Sequence, residues 1–197
     1  EEERLEKEKA EKEKAEKENK AKEKEVDSLI DMMVPVEPQP APTFHLPIKE
    51  SYVVTREFFD LEADMSVLVN AVKNSGDGYV ESQGISFSKE DNSIFDVYNV
   101  FPGEVLTVSG NSESLEGYTI TIKHENDVTS VYSSLSSVNV NVGDKIESNV
   151  KIGVSGTSLN DLEAGIHVHL EILSNGKHIN PKDAIGKEIS ELASVVK

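Results

Sequence analysis

The first 25 residues have a hydrophobic and polar pattern unlike that of the rest of the chain. They read EEERLEKEKAEKEKAEKENKAKEKE, almost entirely residue types that favour a helix. Glu precedes Lys by four residues, a stabilising spacing, at Glu3/Lys7, Glu8/Lys12, Glu13/Lys17 and Glu18/Lys22. The few apolar positions are mostly Ala and recur every five or six residues, which disfavours a coiled coil. With the helical spacing of Val26, Leu29, Ile30 and Met33, the pattern predicts a charged, solvated helical stalk over residues 1–34.

Prolines interrupt this pattern directly after the stalk. Four of them fall within eight residues, namely Pro35, Pro38, Pro40 and Pro42. Each proline removes a backbone donor and pushes the preceding residue toward an extended conformation. A semi-rigid Pro-rich linker is therefore predicted over residues 35–49.

From residue 50 the apolar positions form short runs, of which Thr119–Lys123 alternates with the period of a half-buried strand. Six runs are predicted to be strands: Tyr52–Phe59, Ile94–Val100, Glu104–Ser109, Tyr118–His124, Thr129–Leu135 and His167–Leu173. Turn-forming residues separate them, so the sequence predicts a mainly β domain of antiparallel sheet over residues 50–185. Residues 60–75 suit a helix or a strand, with helix favoured, and residues 186–197 are predicted to be a short helical or frayed tail.

The charge is strongly acidic and unevenly distributed. The formal net charge is −17, of which residues 1–25 contribute only −2, with eleven Glu against nine Lys and Arg. Such a surface repels phosphate backbones and anionic lipids, which argues against nucleic-acid binding and favours a basic partner. There are no cysteines and no apolar run of about 18 residues that could span a bilayer. Because the chain begins with Glu1, we expect it to be a piece of a longer protein, and an N-terminal membrane anchor absent from this chain is one of the segments that such a protein can contain.

His167 and His169 are the most informative candidates for site chemistry. Two His at i and i+2 on a strand point to the same face and can reach one metal or one substrate. The pair alone is weak evidence, and the alternative is that both are packing and hydrogen-bonding groups. Neither a G-x-S-x-G nucleophile motif nor a phosphate-binding loop is present.

The order of the sequence segments around the histidine pair resembles that of a known protein family. In sequence the segments are Gly103-Glu104-Val105, Tyr118–Lys123, Val131–Leu135, Val142–Ile146, Ile152–Thr157, His167–Glu171 and Asn180-Pro181. This succession resembles the LytM or lysostaphin-type zinc endopeptidase domain, with core motifs over residues 80–183. The resemblance implies a LytM-like antiparallel sheet fold.

The family's zinc-binding motifs are altered at most positions of this sequence. In the family, zinc is held by the His and Asp of H-x-x-x-D and by the second His of H-x-H, and the His of Y-x-H-L assists the bound water. The matching positions here are Ser82, Ser86, His169 and Ser134, with His167 as the first His of H-x-H. Neutral hydroxyls cannot replace imidazole and carboxylate ligands. The resemblance therefore implies a vestigial cleft with no metal, no cofactor and no catalysis. Glu81, His124 and His178 could rebuild a site, but both histidines are expected to be exposed.

Among LytM-like proteins, the sequence is most similar to the stage II sporulation Q family of endospore-forming Firmicutes. The resemblance rests on Ser82–Ser86, Tyr118–His124, Ser130–Ser136, Val142–Ile146 and Gly165–Ile172. It implies an extracytoplasmic domain in the space between forespore and mother cell, anchored in the forespore membrane. Its implied partner is the extracytoplasmic domain of a stage III sporulation AH-type mother-cell protein, within a channel or zipper between the two cells.

Two other functions remain open at this point. Degenerate LytM domains on helical stalks can activate cell-wall amidases, although this stalk is short and lacks heptads. An active zinc endopeptidase on peptidoglycan is the alternative from a different class. The sequence favours the non-catalytic sporulation protein over both.

Overall fold

The computed structural model describes residues 41–74, 78–111 and 113–194. The predicted stalk over residues 1–34 and the first part of the Pro-rich linker lie outside the described residues. Residues from Ala41 onward form one compact unit. No helix among the described residues combines the length and the apolar character needed to cross a bilayer.

The domain is mainly β, as predicted. Its twelve described strands are β1 (Val53–Arg56), β2 (Val72–Asn74), β3 (Tyr79–Glu81), β4 (Ile85–Ser88), β5 (Asp96–Tyr98), β6 (Gly103–Ser109), β7 (Tyr118–Lys123), β8 (Val128–Val138), β9 (Lys145–Ile146), β10 (Lys151–Ser155), β11 (Val168–Ser174) and β12 (Lys177–Ile179). The α-helices are α1 (Met65–Asn70) and α2 (Pro181–Ala184), and 3₁₀ helices cover Leu162–Ala164 and Ile189–Ser194. Each of the six predicted strands overlaps an observed one.

One large antiparallel sheet organises these strands. Its order is β1-β4-β11-β8-β7-β6-β9, with β12 paired to β11, and β10 paired to both β8 and β5. The central strand β11 alternates as a two-faced strand requires: Val168, Leu170 and Ile172 are fully buried in the apolar core. The opposite face of β11 therefore carries His169 and Glu171, which places the candidate site at the middle of the sheet.

The packed domain begins earlier than the predicted start at residue 50. Phe44 and Ile48 belong to the core, and the ring of Phe44 stacks on that of Phe101 with centroids 4.5 Å apart. The last part of the predicted linker, residues 41–49, is therefore an arm of the domain. The reason is that an arm with apolar residues gains more from burial than its prolines lose in backbone donors.

The predicted tail also packs. Ile189 and Leu192 are core residues, and the backbone N–H of Phe44 donates to the carbonyl of Lys187 at 2.9 Å. The N-terminal arm and the C-terminal 3₁₀ helix thus close the same side of the core. Residues 60–75 hold the favoured helix, α1, but also strand β2.

Candidate functional site

The sheet brings Ser86 and His169 together, as the vestigial-cleft hypothesis requires. Strand β4 pairs with β11 so that Ser86 lies opposite His169 in the register. Their side chains are hydrogen-bonded, with 3.0 Å between Ser86 Oγ and His169 Nδ1. Ser86 is fully buried and His169 is 4% exposed. One imidazole nitrogen is therefore already engaged by a hydroxyl where the family has a carboxylate.

The second imidazole nitrogen of His169 has a different environment. His169 Nε2 is buried and has no hydrogen-bond partner among the described residues. Glu171 Oε1 lies 3.6 Å away, while Glu171 Oε2 lies 2.9 Å from His178 Nε2. The carboxylate is thus engaged by His178 at hydrogen-bonding distance and is only a near neighbour of His169.

Both histidines of the pair favour the neutral form. Burial lowers the pKa of His169 well below its ordinary value, and the positive charges of Lys73 and Arg56 lower it further. Burial likewise lowers the pKa of His167, whose Nδ1 is 2.9 Å from the carbonyl oxygen of Gly165. Both imidazoles are therefore uncharged at neutral pH.

Arg56 is the residue of this region that the sequence analysis missed. Its guanidinium donates to Asp161 from Nε to Oδ2 at 3.0 Å and from Nη2 to Oδ1 at 2.5 Å, and Nη1 donates to the carbonyl of Val72. The side chains of Arg56 and Asp161 are only 6% and 5% exposed. A two-point ion pair of this kind ties β1 to the loop before the 3₁₀ helix Leu162–Ala164. The sequence contains one indication that Arg56 is special, because it is the only arginine after residue 4.

The other two serines, Ser82 and Ser134, donate hydrogen bonds to backbone carbonyl groups. Ser82 is buried, and its hydroxyl donates to the carbonyl of Gly84 at 2.9 Å. Ser134 is buried in β8 with φ of 65°, and its N–H donates to the carbonyl of Glu116 at 2.8 Å. Of these three serines, Ser86 is the one whose side chain hydrogen-bonds a histidine of the pair.

These donors do not fit a zinc ion. The three ligand positions hold two hydroxyls and one imidazole, and His169 Nδ1 is already hydrogen-bonded to Ser86. Two cationic side chains, Arg56 and Lys73, act on the same imidazole. Among the described residues no group of three His, Asp or Glu side chains is arranged to hold a metal.

The candidates for a rebuilt site are dispersed. The expectation that His124 is exposed is wrong: it is 4% exposed, and its two nitrogens lie 2.8 Å from the Pro102 carbonyl and from Ser130 Oγ. Burial lowers the pKa of His124 to about 4. His178 is partly buried against Glu171, and Glu81 is exposed. His124 is therefore a structural residue of the core.

Comparison with known proteins identifies a matching family and a similar protein. The model of peptidase family M23 matches residues 80–181. Stage II sporulation protein Q of Bacillus subtilis is 32% identical over 143 residues, which cover 73% of this chain and 50% of that protein. The chain thus spans about half the length of that curated relative.

Two solved structures show the same architecture. One, described as the SpoIIQ–SpoIIIAH pore-forming complex, has a TM-score of 0.74 and 29% identity, covering 79% of this chain and 98% of the matched chain. The other, a crystal structure of a SpoIIIAH and SpoIIQ complex, has a TM-score of 0.68 and 31% identity, covering 72% and 99%. Both solved relatives were thus determined in complex.

Proposed function

This chain belongs to peptidase family M23, and from that premise we propose that it is a non-catalytic binding protein of sporulation. In this proposal its domain lies outside the cytoplasm, between forespore and mother cell, as the forespore-side component of a channel or zipper. Its partner is the extracytoplasmic domain of a stage III sporulation AH-type protein. The similarity to solved SpoIIQ–SpoIIIAH complexes over nearly the whole of the matched chains is the observation that carries the proposal.

The chemistry of the cleft supports the non-catalytic part. Metal-assisted amide hydrolysis needs a Lewis acid held by strong donors and an open coordination position. Ser82 and Ser86 are weak neutral donors in the two positions where the family has His and Asp. Ser134 also lacks the proton-transfer capacity of the imidazole found in the family. Ser82, Ser86 and Ser134 thus remove metal binding and water activation together, while His167 and His169 remain as buried packing groups.

The predicted domain organisation fits the same role. The sequence predicts a charged helix over residues 1–34, followed by prolines, and that segment lies outside the described residues. At about 1.5 Å per helical residue, twenty-five such residues reach roughly 40 Å. A spacer of that length would hold a binding domain away from an anchoring membrane.

A pull-down tests this proposal. The purified chain is immobilised and offered two extracytoplasmic probes from the same organism, the stage III AH-type domain and a cell-wall amidase. Retention of the AH-type domain alone is the expected result. Retention of the amidase and not of the AH-type domain would instead support the amidase-activator function and overturn this proposal.

A further inference from the structure

The hairpin of β11 and β12 turns on the only Asn-Gly pair in the sequence. Asn175 and Gly176 follow β11, and Ser174 pairs with Lys177 across the turn, so the loop consists of two residues. Their φ values of 52° and 75° are both positive, as a type I′ turn requires. Asn tolerates this left-handed region and Gly adopts it without strain, so the local sequence explains the turn. The same two residues also form a chemically reactive pair.

The backbone nitrogen of the residue after an Asn can attack the Asn side chain. Here the Gly176 nitrogen forms a bond to Asn175 Cγ, which closes a succinimide ring and breaks the bond from Cγ to Nδ2. The amide proton of Gly176 passes to a solvent base, and the departing nitrogen takes up a proton from water and leaves as ammonia. Water then opens the ring, at the side-chain carbonyl to give Asp or at the backbone carbonyl to give isoaspartate. The net reaction consumes water and releases ammonia.

The turn leaves both reacting groups open to this chemistry. Asn175 and Gly176 are exposed, and no atom lies within 4 Å of the place where a Cβ on Gly176 would stand. Within the described ranges, the N–H of Gly176 makes no backbone hydrogen bond. The hydrogen bond described for the Asn175 side chain is long, at 3.4 Å from Nδ2 to Ser174 Oγ. Neither a side chain nor a strong hydrogen bond therefore shields the reaction.

Asn149 is a matched residue in a different sequence context. It is also exposed and left-handed, with a φ of 61°. The backbone N–H groups of Asn149 and Asn175 both donate to carbonyl groups, of Asn99 at 2.8 Å and of Asp127 at 3.0 Å. The residue after Asn149 is Val150, whose branched side chain crowds the nitrogen that would attack. The identity of the following residue is thus the main difference between the two sites.

The product of the reaction does not fit the hairpin. Isoaspartate adds a methylene to the main chain, and a two-residue turn cannot absorb it without disturbing the register of β12. That register places His178 opposite Leu173. His178 Nε2 lies 2.9 Å from Glu171 Oε2, and Ile179 belongs to the core. A lengthened turn therefore weakens both the contact of His178 with Glu171 and the burial of Ile179.

We propose that Asn175 is a site of spontaneous modification, at which Asn175 and Gly176 form a succinimide and then isoaspartate, and that the product loosens β12 from β11. Ring closure needs the Gly176 nitrogen to rotate toward the side chain, and a short exposed hairpin opens at a low free-energy cost. Because ammonia is lost, refolding does not reverse the change. The modified fraction then records the age of the protein, whatever its partner is.

Mass spectrometry of the aged chain tests the modification. The full chain is incubated in mildly alkaline buffer at physiological temperature, and its peptides are analysed by a fragmentation method that separates isoaspartate from Asp. Conversion at Asn175 should be at least about 10-fold faster than at Asn149, with isoaspartate among the products. Val150→Gly, which removes the crowding side chain, should speed conversion at Asn149. Equal rates at the two sites of the unaltered chain, or no conversion at Asn175, would overturn the proposal.

A second comparison tests the effect on the hairpin. Asn175→Asp carries the new charge without the extra methylene, so it is the matched control for the isoaspartate form purified from aged protein. We expect Asn175→Asp to keep the Tm of the unaltered chain and the isoaspartate form to lose at least about 2–4 °C. Amide hydrogen exchange at residues 177–179 should be faster in the isoaspartate form. Equal Tm values and equal exchange for the two forms would show that the modification leaves β12 in place.

Discussion

At the scale of single residues, the vestigial cleft is organised by two interactions of different kinds. Ser86 hydrogen-bonds His169, and Arg56 forms a buried ion pair with Asp161. The contact between Ser86 and His169 can be predicted from the sequence, because the family's motifs place a zinc ligand at each of these two positions. The second pair is 105 residues apart in sequence. No local pattern connects such residues, and only the fold reveals them.

The Arg56–Asp161 pair predicts a large effect on stability. Asp161→Asn leaves the buried guanidinium with only the exposed carboxylate of Glu163, 3.6 Å away, as a counter-charge, so the free energy of unfolding should fall by about 3 kcal/mol. Lys182→Met, which removes the partner of Glu57 in a pair where the lysine is 51% exposed, should cost less than about 1 kcal/mol. Urea unfolding of both variants measures the difference. Equal losses would show that burial of the pair does not matter.

His124 predicts a pH dependence of stability. Its pKa is about 4 in the folded protein, against about 6.5 in the unfolded chain. Between these values the unfolded chain binds a proton that the folded chain does not. The free energy of unfolding is therefore fully kept above pH 6.5 and falls as the pH drops toward 4, by on the order of 3 kcal/mol from this residue.

The same measurement on His124→Gln isolates that contribution. The variant loses the titrating group, so its stability should decline less between pH 6.5 and 4 than that of the unaltered protein. Chemical denaturation at a series of pH values provides the comparison. Parallel pH profiles for the two proteins would exclude His124 as a source of the dependence.

At the scale of elements, the sequence located most of the sheet but misplaced its boundaries. Period-two alternation located β7, because a half-buried strand must alternate, and short β-rich runs located strands such as β11. Strand β4 was missed because it is short and all four of its residues are buried, so it has no exposed face to produce alternation. The arm at residues 41–49 was assigned to the linker because prolines dominate its local pattern. The position of His124 beside a predicted turn suggests an exposed side chain, although it packs against Phe44 of that arm.

The arm predicts that the folded unit cannot begin at residue 50. Phe44→Ala removes a ring that is 1% exposed, so the free energy of unfolding should fall by about 3–5 kcal/mol. Glu50→Ala, at an exposed neighbouring position, should change it by no more than about 0.5 kcal/mol. Thermal unfolding compares the two. A Phe44→Ala variant as stable as Glu50→Ala would show that residues 41–49 do not stabilise the domain and belong to the linker.

At the scale of the whole molecule, the chain keeps the fold of peptidase family M23, and in the proposed function hydroxyl groups stand where the family has zinc donors. The core faces of β8 and β11 keep the architecture of peptidase family M23, since packing depends on apolar side chains rather than on the ligands. The acidic charge lies mostly outside residues 1–25. This distribution suits a domain that works by contact with another protein.

One measurement tests this most directly: isothermal titration of the purified chain with the stage III AH-type extracytoplasmic domain, performed with and without EDTA. We expect saturable binding with the same Kd in both conditions, because the proposed function assigns no role to a metal. Binding that EDTA abolishes, or no binding in either condition, would contradict the account of this chain as a metal-independent binding protein.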